Sequence, residues 1–327
     1  MFVDLPLAEL REYRPPVEEP ADFDKFWSRE LGDARSHDLN LQFTPTKTEL
    51  RHAAVFDVSF AGHGGVPIKG WLLVPRESVP SRTVIVEYTG YGGGRGHPVE
   101  WLTWSCFGYP HLVMDNRGQG GPWRTADTND VGGEGQPSRP GFVTRGIMDP
   151  RTYYYTRLFV DAARAVDAAR AYPKFTGWRI VTAGGSQGGG LALAAAHLAK
   201  EVSATLPKVP FLAHPRRAAE ITAALPFGEL SQYCRVHRDE TEQVFQTLSY
   251  VDVVNHAKRC VSVHTLFSVG LLDEITPAST VFAAFNHYAG PKEIAVYSFN
   301  GHEGGGTTHL LRQVDFLTST ETDPKSS

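Results

Sequence analysis

The segment Gly184-Gly185-Ser186-Gln187-Gly188 constrains the fold of this chain more than any other feature. It follows an apolar run at 178–183 that predicts a β-strand, and it precedes a run of good helix formers at 191–200. A serine on a tight turn between a strand and a helix needs small neighbours two residues away on either side, because larger side chains would clash. The spacing predicts a nucleophile elbow; a glycine-rich turn with an idle serine is the open alternative.

Two further residues, much later in the chain, supply the other groups that an activated serine needs. Asp273 follows a predicted buried strand at 261–269, and His302 follows the last predicted strand at 292–298. Because the carboxyl ends of parallel strands lie at one edge of a sheet, we expect Ser186, Asp273 and His302 to meet there. In that arrangement the imidazole accepts the serine proton, and the carboxylate holds the imidazole in the required tautomer.

The acid and the histidine each have alternatives in the sequence. Asp273 also fits the start of a helix, and Glu274 or Asp252 are other candidates for the acid. His302 is one of thirteen histidines, most of which are expected at the surface or in the core. Its position between two glycine clusters directly after a strand favours His302. The order serine, acid, histidine is that of α/β-hydrolases.

A glycine-rich loop at 89–96 follows another predicted strand, 83–88. In α/β-hydrolases this loop supplies one backbone N–H of the oxyanion hole, and the residue after the nucleophile supplies the other. The sequence therefore predicts Tyr91 and Gln187 as the two donors. The loop matches neither the G-x-G-x-x-G nor the G-x-x-x-x-G-K-[ST] pattern, which disfavours a nucleotide site; a merely flexible loop is the remaining alternative.

Strand and helix patterns alternate from about residue 80 onward, which predicts an α/β-hydrolase fold with a mostly parallel central sheet and helices on both faces. With 327 residues and no linker-like break, we expect one domain over 1–327. Residues 1–50 are predicted to form a helical N-terminal extension. Residues 53–75 predict an antiparallel hairpin at the sheet edge, and 214–257 predict a helical insertion that caps the site.

Three smaller expectations concern single residues and one loop. Asp22 is expected to cap the second helix of the N-terminal extension. Arg117 is expected to brace neighbouring loops through its planar set of donors. Residues 121–147 are rich in Gly, Pro and charge, and they predict a long loop near the site.

The composition disfavours several classes of function. The formal net charge is −4, so neither nucleic acid nor an anionic membrane is indicated as a partner. The N-terminus lacks a basic segment followed by an apolar core, and no apolar run is long enough to span a bilayer, which predicts a cytoplasmic protein. The three cysteines lack metal-type spacing and are expected to be free thiols. No metal or other cofactor is predicted, because His302-Glu303 is followed by Gly306 where an H-E-x-x-H helix has histidine.

Taken together, the motifs resemble the acetyl xylan esterase and cephalosporin C deacetylase family, carbohydrate esterase family 7. The resemblance covers nearly the whole chain. Its motifs are Asp4-Leu5-Pro6-Leu7, Arg117-Gly118-Gln119-Gly120, Gly184-Gly185-Ser186-Gln187-Gly188-Gly189, Ser268-Val269-Gly270-Leu271-Leu272-Asp273 and Gly301-His302-Glu303. Two stretches, Ala213-His214-Pro215 and Thr276-Pro277-Ala278, differ from the family's usual pattern.

This resemblance implies Ser186 as nucleophile, Asp273 as acid and His302 as base, with Tyr91 and Gln187 as oxyanion donors. It implies a metal-free serine esterase that removes chiefly acetyl groups from small carbohydrates, such as acetylated xylooligosaccharides, and from cephalosporin C. It also implies a homohexamer with active sites that face an internal chamber. A peptidase or broad carboxylesterase of the same fold is one alternative, and a noncatalytic binding protein of that fold is another.

Overall fold

The computed structural model describes residues 4–77, 82–130, 139–199 and 201–321. Its strands are β1 (Gln42–Thr46), β2 (Ala53–Ala61), β3 (Pro67–Pro75), β4 (Thr83–Tyr88), β5 (His111–Met114), β6 (Arg179–Gly185), β7 (Val202–Lys208), β8 (His264–Gly270) and β9 (Lys292–Tyr297). They form a nine-stranded sheet in the order β1-β2-β3-β5-β4-β6-β7-β8-β9. The pairs from β1 to β5 are antiparallel, and those from β5 through β4 to β9 are parallel. The mostly parallel sheet of an α/β-hydrolase is confirmed.

Helices cover both faces of this sheet. They are α1 (Leu7–Glu12), α2 (Phe23–Ser36), α3 (Leu102–Cys106), α4 (Tyr154–Ala171), α5 (Gln187–Leu198), α6 (Pro215–Ile221), α7 (Phe227–Val236), α8 (Thr241–Val251), α9 (Val253–Ala257), α10 (Ala278–His287) and α11 (Gly306–Glu321). One face packs against α3 and α11. The other packs against a larger set that includes α2, α4, α5 and α10.

The strand β4 shows why the centre of the sheet is buried on both sides. Val84 and Val86 point into the core that includes α4 and α5, whereas Ile85 points into the core with α3 and α11. All three are fully buried. A continuous β-branched run is what a parallel strand covered on both faces requires, since successive side chains point to opposite sides.

The predicted helical extension at 1–50 is only partly helical. It contains α1 and α2, but residues Gln42–Thr46 form β1, which pairs antiparallel with β2 and makes the edge of the sheet. The predicted hairpin, β2 and β3, is confirmed, and it lies one strand in from that edge. Pro45 in β1 fits an edge position, because an edge strand has one row of backbone groups outside the ladder.

Asp22 precedes α2, but its side chain makes no capping hydrogen bond. Instead it accepts a hydrogen bond from the Tyr250 hydroxyl at 2.6 Å. The prediction of a side-chain cap was wrong, because a long-range partner on α8 competes for the carboxylate. The apolar stripe of α2 still packs inward, and its Trp27 stacks on Phe159 of α4 with ring centroids 5.8 Å apart.

Arg117 has the bracing role that the sequence predicts. Its buried guanidinium forms a two-point ion pair with Asp161 of α4, in which Nη2 donates to Oδ1 at 2.6 Å. The same carboxylate accepts the His63 N–H at 2.8 Å. One buried carboxylate therefore joins the loop after β5, the turn before β3 and helix α4. Of the long loop predicted at 121–147, residues 131–138 lie outside the described residues.

Candidate active site

Ser186 lies on the sharp turn between β6 and α5. Its φ of 56° and ψ of −120° are unusual for a residue with a side chain. The backbone around it is held firmly, because the Ser186 N–H donates to the Lys208 carbonyl and the Phe211 N–H donates to the Ser186 carbonyl, both at 2.9 Å. A strained serine that its surroundings hold in place is a feature of functional sites.

The glycines around Ser186 have the steric role that the sequence predicts. A Cβ on Gly184 would lie 2.4 Å from the carbonyl carbon of Gly188. A Cβ on Gly188 would lie 2.0 Å from the carbonyl oxygen of Tyr88, in β4. Both obstacles are main-chain atoms, which cannot rotate away. The prediction that side chains would clash at these two positions is confirmed.

Gly188→Ala is therefore expected to destabilise the protein and to impair activity. Inserting a methyl group into a close-packed site costs about 1–3 kcal/mol or more when nothing can move aside. Here the displaced atom belongs to the strand that leads into Tyr91, so the loop with the predicted oxyanion donor would shift as well. Urea titration gives the change in the free energy of unfolding, and turnover of an acetyl ester gives the loss of activity.

Gly32→Ala in α2 is the matched control. A Cβ at Gly32 meets no atom within 4 Å. Because alanine is about 1 kcal/mol more favourable than glycine inside a helix, this control should be neutral or stabilising. Equal destabilisation by the two substitutions would contradict the steric argument at Gly188.

Asp273 and His302 are hydrogen-bonded to each other. His302 Nδ1 lies 2.9 Å from Asp273 Oδ2 and 3.2 Å from Oδ1. The carboxylate also accepts the Ile275 N–H at 2.8 Å, the Thr276 N–H at 2.9 Å and the Thr276 hydroxyl at 2.8 Å. The Asp273 side chain is fully buried and His302 is partly exposed. A buried carboxylate with this many donors is well placed to fix the imidazole with a proton on Nδ1.

The other two candidate acids are placed elsewhere. Glu274 is exposed. Asp252 is buried and caps α9, where its Oδ1 accepts the Val254 N–H at 2.9 Å and the His214 N–H at 3.0 Å. Burial raises the pKa of Asp252 to about 7. Among the three candidates, Asp273 is the one that contacts His302.

The ends of three chain segments converge on Lys208 and Val209, at the carboxyl end of β7. In the elbow, the Ser186 N–H donates a hydrogen bond to the Lys208 carbonyl. The acid loop contacts the same place, because the Thr276 hydroxyl oxygen lies 3.3 Å from the Val209 carbonyl oxygen. Gly304, two residues after the histidine, is so close that a Cβ would lie 2.8 Å from Val209 Cγ1 and 3.0 Å from Lys208 Cγ. The sheet edge thus gathers the serine, acid and histidine loops.

The structure does not join Ser186 directly to His302. Within the described part of the chain, neither Ser186 Oγ nor His302 Nε2 has a hydrogen-bond partner. Hydrogen bonds of this kind are often long without substrate and tighten only in the complex. The outer nitrogen of the imidazole therefore has no competing partner among the described residues.

Tyr91 and Gln187 carry backbone N–H groups that donate to no other residue of the described ranges. The Gln187 N–H is at the first position of α5, where the positive end of the helix dipole favours an anion. Tyr91 lies in the turn directly after β4, which is the strand beside β6. Two unused donors on neighbouring turns fit an oxyanion hole.

Gln119 was not singled out as a functional residue by the sequence, although it is part of the RGQG motif. Its Oε1 accepts the Gly92 N–H at 2.8 Å, and its Nε2 donates to Gln187 Oε1 at 2.9 Å. The buried Tyr155 hydroxyl donates to the same oxygen of Gln187 at 2.9 Å. These side chains connect the loop of Tyr91 to the elbow. No signal in the sequence shows this contact, because the residues are far apart along the chain.

Thr276 was noted only as a departure from the family pattern, yet it donates twice to Asp273. An Asp side chain commonly accepts from backbone N–H groups two or three residues further along the chain, and Thr276 is three residues after the acid. That spacing was a signal that could have indicated its role.

Comparison with known proteins identifies the family. The sequence model of the acetyl xylan esterase family (AXE1) matches residues 1–320. The chain belongs to this family. An acetyl xylan esterase structure from Paenibacillus sp. R4 is 38% identical, with a TM-score of 0.88, and the match covers 96% of this chain and 99% of that one. Acetyl xylan esterase 1 from Thermoanaerobacterium sp. JW/SL YS485 is 33% identical, with a TM-score of 0.84, over 95% of this chain and 98% of that one.

A curated family relative is longer than this chain. Acetyl esterase Axe7A from Xylanibacter ruminicola is 25% identical over 292 residues, which cover 88% of this chain and 65% of the relative. More distant structures, such as the Pyrococcus furiosus esterase PF2001 at 16% identity and a TM-score of 0.53, share the fold.

Among the described residues, no group of three or more His, Cys, Asp or Glu side chains could hold a metal ion. Among the same residues, no helix has both the length and the apolar composition that a membrane span requires. The three cysteines are unpaired, as predicted.

Proposed function

We propose that this chain is a serine esterase that removes acetyl groups from small acetylated carbohydrates through an acyl-enzyme intermediate on Ser186. The observation that carries the proposal is the hydrogen bond between Asp273 and His302, at the sheet edge where the elbow presents Ser186. The family membership supports an esterase, and the names of the relatives support the acetyl group.

In the first step, Ser186 Oγ attacks the ester carbonyl carbon while His302 Nε2 accepts its proton. The buried Asp273 carboxylate stabilises the imidazolium that forms. The imidazolium then donates the proton to the departing alcohol oxygen, and the acetyl group remains on Ser186. In the second half, His302 accepts a proton from water and the hydroxyl attacks the acetyl carbon. The bond from that carbon to Ser186 Oγ then breaks, the imidazolium returns the proton to Ser186 Oγ, and acetate leaves.

The negative charge of each tetrahedral intermediate would lie between the Tyr91 and Gln187 N–H groups. Both donors belong to a folded framework, so no large reorganisation is needed when the charge develops. The side-chain contacts between Gln119 and Gln187 support this preorganisation.

The proposal predicts that activity falls steeply as the acyl group lengthens. On p-nitrophenyl esters, we expect kcat/KM to be highest for acetate and to fall by about 10-fold or more for each added methylene that the acyl pocket rejects. A series from acetate to octanoate, measured with the same leaving group, tests this directly. The Ser186→Ala variant measures the background of each substrate.

Two results, one from this series and one with a different substrate, would favour the alternative functions. Equal or faster hydrolysis of butyrate and octanoate would indicate a broad carboxylesterase. Comparable hydrolysis of an acetylated peptide anilide would indicate a peptidase.

The proposal also includes acetylated xylooligosaccharides and cephalosporin C as substrates, a homohexamer and a cytoplasmic location. The support for these finer statements is the family resemblance, and each stays a prediction.

A further inference from the structure

The Tyr91 side chain makes contacts that the proposed reaction does not use. Its hydroxyl donates to Glu229 Oε1 at 2.5 Å. The same hydroxyl accepts the N–H groups of Gly141 and Phe142, each at 3.1 Å. Burial and the neighbouring Glu229 carboxylate raise the pKa of Tyr91, which keeps the phenol protonated as a donor.

Glu229 lies on α7, within the helical segment between β7 and β8, and is itself half-buried. Its Oε1 also accepts the Gly141 N–H at 3.1 Å, and its Oε2 accepts the Val143 N–H at 3.3 Å. Burial raises the pKa of Glu229, whereas these hydrogen bonds oppose the rise. One carboxylate thus holds two loops, the one that contains Tyr91 and the one at 139–143.

The rest of Tyr91 is also anchored. Its carbonyl accepts the Trp123 indole N–H at 2.8 Å. Its ring packs edge-on against Phe142 and Phe211, with centroids 5.4 and 6.3 Å apart. The hydroxyl, the ring and the carbonyl of Tyr91 are all fixed, and the backbone N–H is left for a ligand.

We propose that Glu229 is a positioning residue of the oxyanion hole, and that it acts through the Tyr91 hydroxyl to aim the Tyr91 N–H at the developing negative charge. This inference rests on the proposed function, because it needs an oxyanion at that position. A donor contributes to catalysis only where its geometry is set in advance, and small displacements are costly. The Tyr91 N–H belongs to a glycine-rich turn, which has little stiffness of its own.

The test uses Glu229→Gln, Tyr91→Phe and the double variant. Glutamine keeps the size of the side chain, but one of its two ends is an NH₂ group that cannot accept a hydrogen bond from Tyr91 or Val143. For p-nitrophenyl acetate, we expect kcat to fall about 10-fold or more in each single variant, approaching the 100- to 1,000-fold typical of a lost oxyanion donor. KM should stay within about twofold, because the ester ground state carries no such charge.

Two further readouts separate positioning from a merely structural role. Phenylboronic acid forms a tetrahedral adduct with a catalytic serine, so its Ki should rise by the same factor as kcat falls. The kcat of the double variant should be little lower than that of the less active single variant, because both residues act through one contact. Thermal unfolding of each variant reports whether the fold is kept.

The partly buried pair of Tyr233 and Glu240 is the matched control. The Tyr233 hydroxyl donates to Glu240 Oε2 in the same helical segment, and among the described residues neither side chain hydrogen-bonds to Tyr91 or Glu229. Tyr233→Phe and Glu240→Gln should leave kcat and the boronate Ki unchanged.

Wild-type kcat and Ki in folded Glu229→Gln and Tyr91→Phe would overturn the inference. A fall in kcat with an unchanged Ki would also overturn it, because the transition-state mimic would then not sense the change. Failure of the proposed function is a separate result, since it would show as retained turnover in Ser186→Ala.

Discussion

Ser186→Ala is expected to lower kcat for an acetyl ester by about 1,000-fold or more, while the protein stays folded. The hydroxyl is the group that would attack, and no other serine lies on a turn of this shape among the described residues with positive φ. The remaining activity would come from the unused N–H groups of Tyr91 and Gln187, which can still stabilise an oxyanion formed by water. Steady-state kinetics with circular dichroism checks both parts.

Ser279→Ala is a suitable control for this experiment. Ser279 is buried in the first turn of α10, and its N–H donates to Asp4 rather than to any group of the site. Its loss should leave kcat within about threefold, as is usual away from the reacting groups. Near wild-type turnover in folded Ser186→Ala would remove this serine from the mechanism.

Asp273→Asn is expected to keep the fold and lower kcat by about 10,000-fold, as the same change does in serine hydrolases. The Ile275 and Thr276 N–H groups both point at Oδ1, so they would hold the amide oxygen of the asparagine there. The amide NH₂ would then occupy the place of Oδ2 and donate to His302 Nδ1. That contact forces the proton onto Nε2, and the imidazole can no longer accept from Ser186.

Glu274→Gln provides the matched control, because Glu274 is the next residue and is exposed. We expect its kcat to stay within about twofold of the wild type, as for surface changes in general. Measurement of both variants on one ester decides between the acids. A mild Asp273→Asn together with a severe Glu274→Gln would show that the acid is misassigned.

Most strands of the sheet could be predicted from the sequence to within a few residues, and the two that were missed, β1 and β7, show the limit. The run TVIVEY in β4 is β-branched at its first four positions, all of which are buried, so the local pattern was sufficient. The strand β1 has the sequence QFTPT, which is mostly exposed and contains proline. Its strand conformation depends on pairing with β2, a contact that residues 42–46 do not encode by themselves.

The sequence favoured Asp273 as the acid but left two alternatives open, and the folded chain separates the three. The three candidates, Asp273, Glu274 and Asp252, all carry a carboxylate. The periodicity of apolar residues in the sequence does not distinguish them. Burial and hydrogen bonds do, because Asp252 is used by α9 and Glu274 faces solvent, whereas Asp273 contacts His302. The catalytic roles themselves stay predictions until the substitutions above are made.

The sequence by itself indicated the elbow, because the Gly-x-Ser-x-Gly spacing between a strand pattern and a helix pattern is local, and the clash at Gly184 is with Gly188, four residues further on. It also indicated strands β4, β6, β8 and β9 and the loops after them, because these follow from short-range patterns of apolar residues. Only the tertiary structure decided which distant side chains hold the site, namely Gln119 on Gln187, Thr276 on Asp273 and Glu229 on Tyr91. The physical reason is that a hydrogen bond between segments depends on where the whole fold places its two ends, and no local pattern records that distance.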